Sequence, residues 1–146
     1  MAGVRRATHL DTNSVVDFLE HYHKTESNLT DIPFDKESMA EVVNYYVGMP
    51  KHVVFMYEDD AKQVRGVLIG GLDPFAFNKK RYWASDLIFV ANAGGAWLMK
   101  RFIAWSKLYK VDRIIAGVSS GAIDADELYT ALGFTRVGGM YSLEVK

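Results

Sequence analysis

The sequence contains no cysteine, which removes disulfides, thiolate metal ligands and a cysteine nucleophile together and suits a reducing compartment. No apolar stretch is long enough to span a bilayer, and Met1-Ala2-Gly3-Val4-Arg5-Arg6 lacks the apolar run of a signal peptide. The expectation is a cytoplasmic protein with no membrane partner. An excess of charge of one sign is also missing. Lys and Arg number 17 against 18 Asp and Glu, for a net charge of −1, so nothing in the overall electrostatics supports a nucleic-acid partner. There are no internal repeats, and 146 residues with 49% hydrophobic content read as one domain over 1–146 with a proper core.

The rest of the chain is organised around residues 83–109. Trp83-Ala84-Ser85-Asp86-Leu87-Ile88-Phe89-Val90 is rich in aromatic and β-branched residues, as a largely buried strand should be. Ala91-Asn92-Ala93-Gly94-Gly95 breaks that strand without a proline or a charge. From Ala96 the apolar period changes. Leu98, Phe102, Trp105 and Tyr109 fall at helical spacing, with Lys100, Arg101, Lys107 and Lys110 on other sides, which predicts a helix with one buried face. A strand feeding a helix through small residues leaves free backbone N–H groups at the positive end of the helix dipole, a place for phosphate or another anion. The same two glycines also suit an ordinary strand–helix turn.

Taken in order, Val4–His9 is a short candidate strand, and Asp11, Thr12 or Asn13 caps a helix carrying Val15, Val16, Phe18, Leu19 and Tyr22. His21 and His23 point apart on that helix and cannot share a metal. A polar connector through Pro33 leads to a second helix over Lys36–Val47, ended by Gly48 and Pro50. His52–Tyr57 and Val64–Leu72 form a hairpin whose acidic tip, Glu58-Asp59-Asp60, lacks the ligand spacing of a cation loop. Gly66, Gly70 and Gly71 imply a bulge or close backbone approach, and a loop through Asp73, Pro74 and Asn78-Lys79-Lys80 follows. After the central helix come a strand over Arg113–Val118, a short helix capped by Asp124 and ending at Gly133, and a closing hairpin within Phe134–Val145. The order β-α-α-β-β-β-α-β-α-β-β describes an α/β (α+β) domain, a mixed sheet flanked by helices.

That order, with Leu128-Tyr129-Thr130-Ala131-Leu132-Gly133-Phe134 near its end, resembles the GNAT family of acyl-CoA N-acyltransferases. The family commonly closes with a helix reading aromatic-Tyr-x-x-Leu-Gly-Phe followed by two strands; here Leu128 replaces the first aromatic. A second family motif, Gln/Arg-x-x-Gly-x-Gly/Ala, joins the fourth strand to the third long helix and holds the CoA pyrophosphate on backbone N–H groups. This chain has a degraded form of it. Counting from Ala91 puts Gly94 and Ala96 in the glycine places, and counting from Val90 puts Ala93 and Gly95 there. The second register aligns Leu98-Met99 with the helix's usual apolar pair and is preferred. Neither supplies the Gln or Arg. The length and the Gly94-Gly95 turn look most like small phage or bacterial members.

The resemblance implies a mostly antiparallel sheet of about seven strands and an N-acetyltransferase moving an acetyl group from acetyl-CoA to a primary amine, on a small molecule or a protein. The attack would be direct, without metal. Tyr129 stands where the family's tyrosine lies near the CoA sulfur as general acid; its other reading is a packing aromatic. Asp86 is the general-base candidate, the one carboxylate in an otherwise uncharged strand, placed by alternation with Ala84, Ile88 and Val90. A paired or solvated carboxylate, with a water chain as proton carrier, is its alternative. Ile88, Phe89 and Val90 would present backbone groups to the pantetheine arm, and Asn92, Ala93, Gly94, Gly95 and Ala96 would hold the pyrophosphate. Ser119, with Ser120, lies where relatives contact cofactor or substrate. Glu26, Asn28 and Asp31 are assigned to the acceptor pocket, where carboxylates attract an ammonium. A homodimer is left open. The competing reading is a GNAT-shaped protein that binds a partner protein and has little or no catalysis.

Overall fold

The structure, a computed structural model, describes residues 1–27, 29–117, 126–139 and 141–145. Strand β1 (Gly3–Arg6) leads through a short 3-10 turn (His9–Asp11) into α1 (Thr12–Thr25), and α2 (Lys36–Gly48) follows. Then come β2 (His52–Glu58), β3 (Val64–Phe75) and β4 (Asn78–Ala91). Helix α3 (Gly95–Lys107), β5 (Arg113–Ile115) and α4 (Asp126–Ala131) complete the described elements. The sheet order is β1-β2-β3-β4-β5, antiparallel except for the parallel β4–β5 pair.

Strand alternation divides the core into two layers. Val54, Met56, Val67 and Ile69 face α1 and α2, meeting Val15, Phe18, Leu19 and Val43. Val53, Phe55, Leu68 and Leu72 face the other way, onto Leu98, Met99, Phe102 and Trp105 of α3. Each fully buried side chain of this size contributes about 1.5–3 kcal/mol. Gly70 sets how closely α3 approaches the sheet, since a Cβ there would come within 2.6 Å of the Phe102 ring.

Helix starts follow their caps. Thr8 and Asp11 form a reciprocal capping box on the 3-10 turn, which shortens the expected Val4–His9 strand to Gly3–Arg6. Asp35 accepts from the N–H groups of Glu37 and Ser38 and starts α2.

Two expectations need correction. The stretch through Asp73, Pro74 and Asn78-Lys79-Lys80 is not a loop, because the β3–β4 ladder continues out to Phe75 opposite Asn78. Pro74 is tolerated because β2 stops pairing at His52–Gly71, so the missing N–H leaves no ladder bond unmade on that side. The closing hairpin is also absent among the described residues, which hold five strands against the seven expected. Val137, Tyr141, Leu143 and Val145 are 87–100% exposed, so these described positions bury no apolar side chain, and β5 offers only three residues to pair with. A two-stranded hairpin without a buried face is marginal.

Candidate active site

The candidate site begins where β4 and β5 part. β5 accompanies β4 only over Trp83–Ser85, and β4 then runs on to Ala91 with its β5-side edge uncovered by any described strand. At the same point β4 carries a bulge. Ile69 pairs with Ile88 and Gly70 with Asp86, leaving Leu87 as an extra residue. The bulge corrects the expected alternation. Ala84 lies on the α3 side, whereas Ile88 and Val90 lie on the α1–α2 side, so the four residues do not share one face. Asp86 pairs with Gly70, the residue under Phe102, which places it on the α3 side with Ala84.

Asp86 is half-buried, and the backbone N–H groups of Asp86 and Gly117 favour its ionised form. Burial outweighs those two donors and pushes the carboxyl up from 3.8 to about 6. From the other side the Tyr129 hydroxyl donates to the Gly117 carbonyl at 3.1 Å. Burial, together with the Asp86 charge, raises the Tyr129 hydroxyl further, so it stays protonated at neutral pH. α4 brings Tyr129 here by packing its ring beside Phe89 at 6.4 Å and Phe134 at 5.4 Å. The Leu132-Gly133-Phe134 turn folds back so that the Phe134 N–H reaches the Tyr129 carbonyl at 2.9 Å. Tyr129 and Gly117 also line a groove of about 1250 Å³ between β5 and the chain that follows α4, with Ile114, Phe134 and Val137 on its walls.

The second half of the site is the turn into α3. Asn92 and Ala93 both donate their N–H groups to the Arg65 carbonyl, at 2.7 and 3.2 Å. They therefore fix the turn against β3 and do not offer those donors to a ligand. Gly94 caps α3 in the left-handed conformation, φ 78° and ψ 12°, and a Cβ there would lie 2.3 Å from the Tyr57 ring. The need for glycine thus falls on Gly94, as in the register counted from Ala91. At Gly95 a Cβ would make only ordinary contacts, at 3.7 Å or more. The first helical bond runs from Leu98 N–H to the Gly94 carbonyl, and no described side chain caps this end. The N–H groups of Gly95, Ala96 and Trp97 are therefore left as the donors available to an anion.

The structure thus brings together Asp86, Phe89 and Tyr129, with Gly94, Gly95 and Ala96 at the end of the same strand. Ile88 and Val90 contribute backbone to the open edge and side chains to the opposite core layer. Glu26 ends α1 and raises the Tyr22 hydroxyl together with burial, on the α1–α2 side of the sheet. Asp31 is exposed on the connector. Asn28, Ser119 and Ser120 lie outside the described residues. Sequence reasoning missed Gly117, whose contribution is backbone alone, and Tyr57, whose ring demands Gly94. It also missed Trp97, 63% exposed in the first turn of α3 with the Lys100 ammonium 5.1 Å from its ring centre. For Gly117, the only available signal was its place at the end of an apolar strand.

No family model and no curated protein matches the sequence. Solved structures do match the fold over nearly the whole chain. An acetyltransferase of Trypanosoma brucei superposes with a TM-score of 0.72 at 17% identity, over 99% of this chain and 100% of that one. A predicted acetyltransferase of Clostridium acetobutylicum, crystallised with acetyl-CoA, gives 0.70 at 16% identity, over 99% and 96%. A transcriptional regulator of Bacillus halodurans gives 0.75 at 15% identity, over 99% and 100%. With the mixed, mostly antiparallel sheet, the parallel β4–β5 pair and the turn into α3, these likenesses show that the chain has the GNAT acetyltransferase fold.

Proposed function

We propose that this protein is an N-acetyltransferase that moves the acetyl group of acetyl-CoA to a primary amine by direct attack. The observation that carries the reading is the placement of Asp86 and Tyr129 within electrostatic reach of one another where β4 and β5 separate, with the Tyr129 hydroxyl held on the Gly117 carbonyl. Support at the level of fold comes from the acetyltransferases it resembles, one of them crystallised with acetyl-CoA. The pyrophosphate would lie on the N–H groups of Gly95, Ala96 and Trp97, and the pantetheine arm along the open edge at Ile88–Val90.

In the reaction the amine nitrogen bonds to the thioester carbon, the C–S bond breaks, and the ammonium proton passes to Asp86 directly or through water. A carboxyl near 6 is mostly ionised at pH 7 yet far more basic than an ordinary one, which suits a general base. Tyr129 has a different task. A thiol titrates near 8.5, so a tyrosine raised above its usual value is the weaker acid of the two. Its hydroxyl therefore stabilises the departing thiolate chiefly by hydrogen bonding, and the final proton arrives from solvent. Glu26 and Asp31 are the described carboxylates assigned to the acceptor side. Asn28 and Ser119 belong to the same proposal, and the reaction needs no metal.

The test is CoA release with a panel of amines, for the parent, Asp86→Asn and Tyr129→Phe. Turnover with at least one amine, lowered about tenfold or more in Tyr129→Phe with the acetyl-CoA KM unchanged, supports the reading. Acetyl-CoA binding with no CoA release above hydrolysis would favour a partner-binding role, the reading to which a neighbour known as a transcriptional regulator gives some weight.

A further inference from the structure

Near the end of α2, the α1–α2 side of the sheet carries a row of rings around one carboxylate. His52 stands two residues before Val54, and Gly71 and Asp73 continue the alternation of Ile69, so all three lie on that side. Trp83 pairs with Asp73 and alternates with Ala84, which faces α3. The His52 ring lies over Gly71, where a Cβ would come within 2.8 Å of it. Tyr46 of α2 meets that ring edge-on, with centroids 4.9 Å apart and planes at 89°. On the other flank Trp83 packs against Phe75 at 5.5 Å. Asp73 stands between the two flanks, directly opposite Trp83 and diagonal to His52, within the reach of long and aromatic side chains.

The chemistry of this row favours positive charge. His52 Nδ1 lies 2.7 Å from the Pro50 carbonyl, which can only accept, so Nδ1 carries the proton and Nε2 of the neutral ring keeps a lone pair. Trp83 is partly exposed while its Nε1 is buried without a hydrogen-bond partner, so the indole offers carbon surface to a ligand. Asp73 is exposed, and burial together with its charge raises the Tyr46 hydroxyl, which keeps that phenol neutral. A carboxylate, an imidazole lone pair and aromatic faces all attract a cation. The spacing suits one as well. β2 and β4 flank β3 and lie roughly 10 Å apart, and a cation is held within about 6 Å of a ring centre, so a group above Asp73 reaches rings on both flanks. Two cations of this region are engaged elsewhere. The Lys51 ammonium lies 4.8 Å over the Tyr82 ring on the α3 side, and Arg113, beside Trp83 on β5, donates to the Asp112 carbonyl at 3.0 Å.

We propose that Asp73, with the rings of Tyr46, His52 and Trp83 around it, forms a binding site for a small organic ammonium. Asp73 supplies the counter-charge, the rings meet the alkyl groups, and His52 Nε2 accepts from an N–H where the ligand has one. The turn before β2 is built to this end. Lys51 holds φ 63°, a left-handed conformation that strains a residue with a Cβ, and it delivers His52 onto the space that Gly71 leaves. Asp86 lies on the opposite side of the sheet, so this site is a property of the free protein and goes beyond the acetyltransferase reading.

The experiment is an NMR titration of the free full-length protein with choline chloride at constant ionic strength, with indole nitrogens and histidine rings labelled. The 3 tryptophan and 4 histidine signals are few enough to assign by substitution, Trp83→Phe for one and His52→Gln for the other. The Trp83 and His52 signals should move along one saturating curve with a millimolar midpoint, as a few cation–π contacts and one exposed carboxylate imply. The uncharged isostere, in which a tert-butyl group replaces the trimethylammonium, should leave both signals still. Asp73→Asn, at an exposed position that keeps its fold, should weaken choline by about tenfold or more. Equal shifts with the uncharged isostere would show a merely apolar surface and overturn the site. So would an unmoved parent, a response shared by all the indoles, or an Asp73→Asn midpoint equal to that of the parent. Butylammonium chloride is the second arm. Binding on the same signals upholds the site, and its strength against choline sorts a primary ammonium from an alkylated one. No acetyl-CoA enters these measurements, so a protein that binds choline and transfers no acetyl group would refute the acetyltransferase reading alone, and an active enzyme blind to both cations would refute this site alone.

Discussion

Replacing Asp86 by asparagine should make the protein more stable at neutral pH while removing the proposed base. The sign follows from the direction of the shift. In the fold the carboxyl titrates at about 6, against an ordinary 3.8, so the ionised form is disfavoured by folding. Below about pH 4 the group is protonated in both states and costs nothing. Between 4 and 6 the folded state holds more protons than the unfolded one, so stability falls as pH rises, and above 6 the full penalty applies. The difference corresponds to ~3 kcal/mol at pH 7, an upper limit because a half-buried carboxyl is partly screened by water. About 2 kcal/mol is the working figure. For a chain of 146 residues this is a rise of roughly 6 °C in Tm. Asparagine has nearly the size and shape of aspartate, so the shape of the site is retained. Urea unfolding of the parent and Asp86→Asn at pH 4.5, 6 and 7.5 measures the effect. The gap should open with increasing pH. A constant gap, or one that widens toward low pH, would show that Asp86 carries no burial penalty and would remove the reason for calling it a tuned base.

Much of this fold was legible because its signals are local. The helical stripes of Val15–Tyr22 and Leu98–Trp105 bury as their spacing predicts, and Gly70 marks both the bulge and the close approach of α3. The errors have a shared origin in pairing that a single chain segment does not announce. Asn78-Lys79-Lys80 has loop composition, yet the ladder with β3 holds it extended. Asp86 was assigned to the wrong set of neighbours because one extra residue, Leu87, inverts the alternation downstream of it. Tyr129 and Asp86 could be named individually from their types and places. The hold of the Gly117 carbonyl on the Tyr129 hydroxyl could not, because backbone C=O groups leave no mark in a sequence. The demand for glycine at position 94 was equally hidden, since it comes from the Tyr57 ring on a different strand.

At the turn into α3, Gly94→Ala should cost about 3 kcal/mol or more, from left-handed strain plus contact with Tyr57, whereas Gly95→Ala should be nearly neutral. Equal urea midpoints for the two variants would refute that assignment. Acetyl-CoA at 100 times its dissociation constant should add about 2.7 kcal/mol of stability, and Gly95→Glu should abolish the shift by placing negative charge at the proposed phosphate site. A parent protein whose Tm is unmoved by millimolar acetyl-CoA would count against the turn as its site. The remaining prediction concerns the pH dependence of the rate with a confirmed amine. If the acceptor binds as an ammonium and Asp86 removes its proton, kcat/KM should be level above pH 7 and fall about tenfold per unit below 6, where the carboxyl becomes protonated. Without the carboxylate only free amine reacts. For an amine titrating near 10.4, the rate of Asp86→Asn should instead climb tenfold per unit from pH 6 until it approaches that value. The two curves therefore lie furthest apart near pH 6–7 and converge in alkali, a pattern that a general loss of structure would not produce. Parallel curves across this range would show that Asp86 takes no proton from the amine, and would leave water as the carrier.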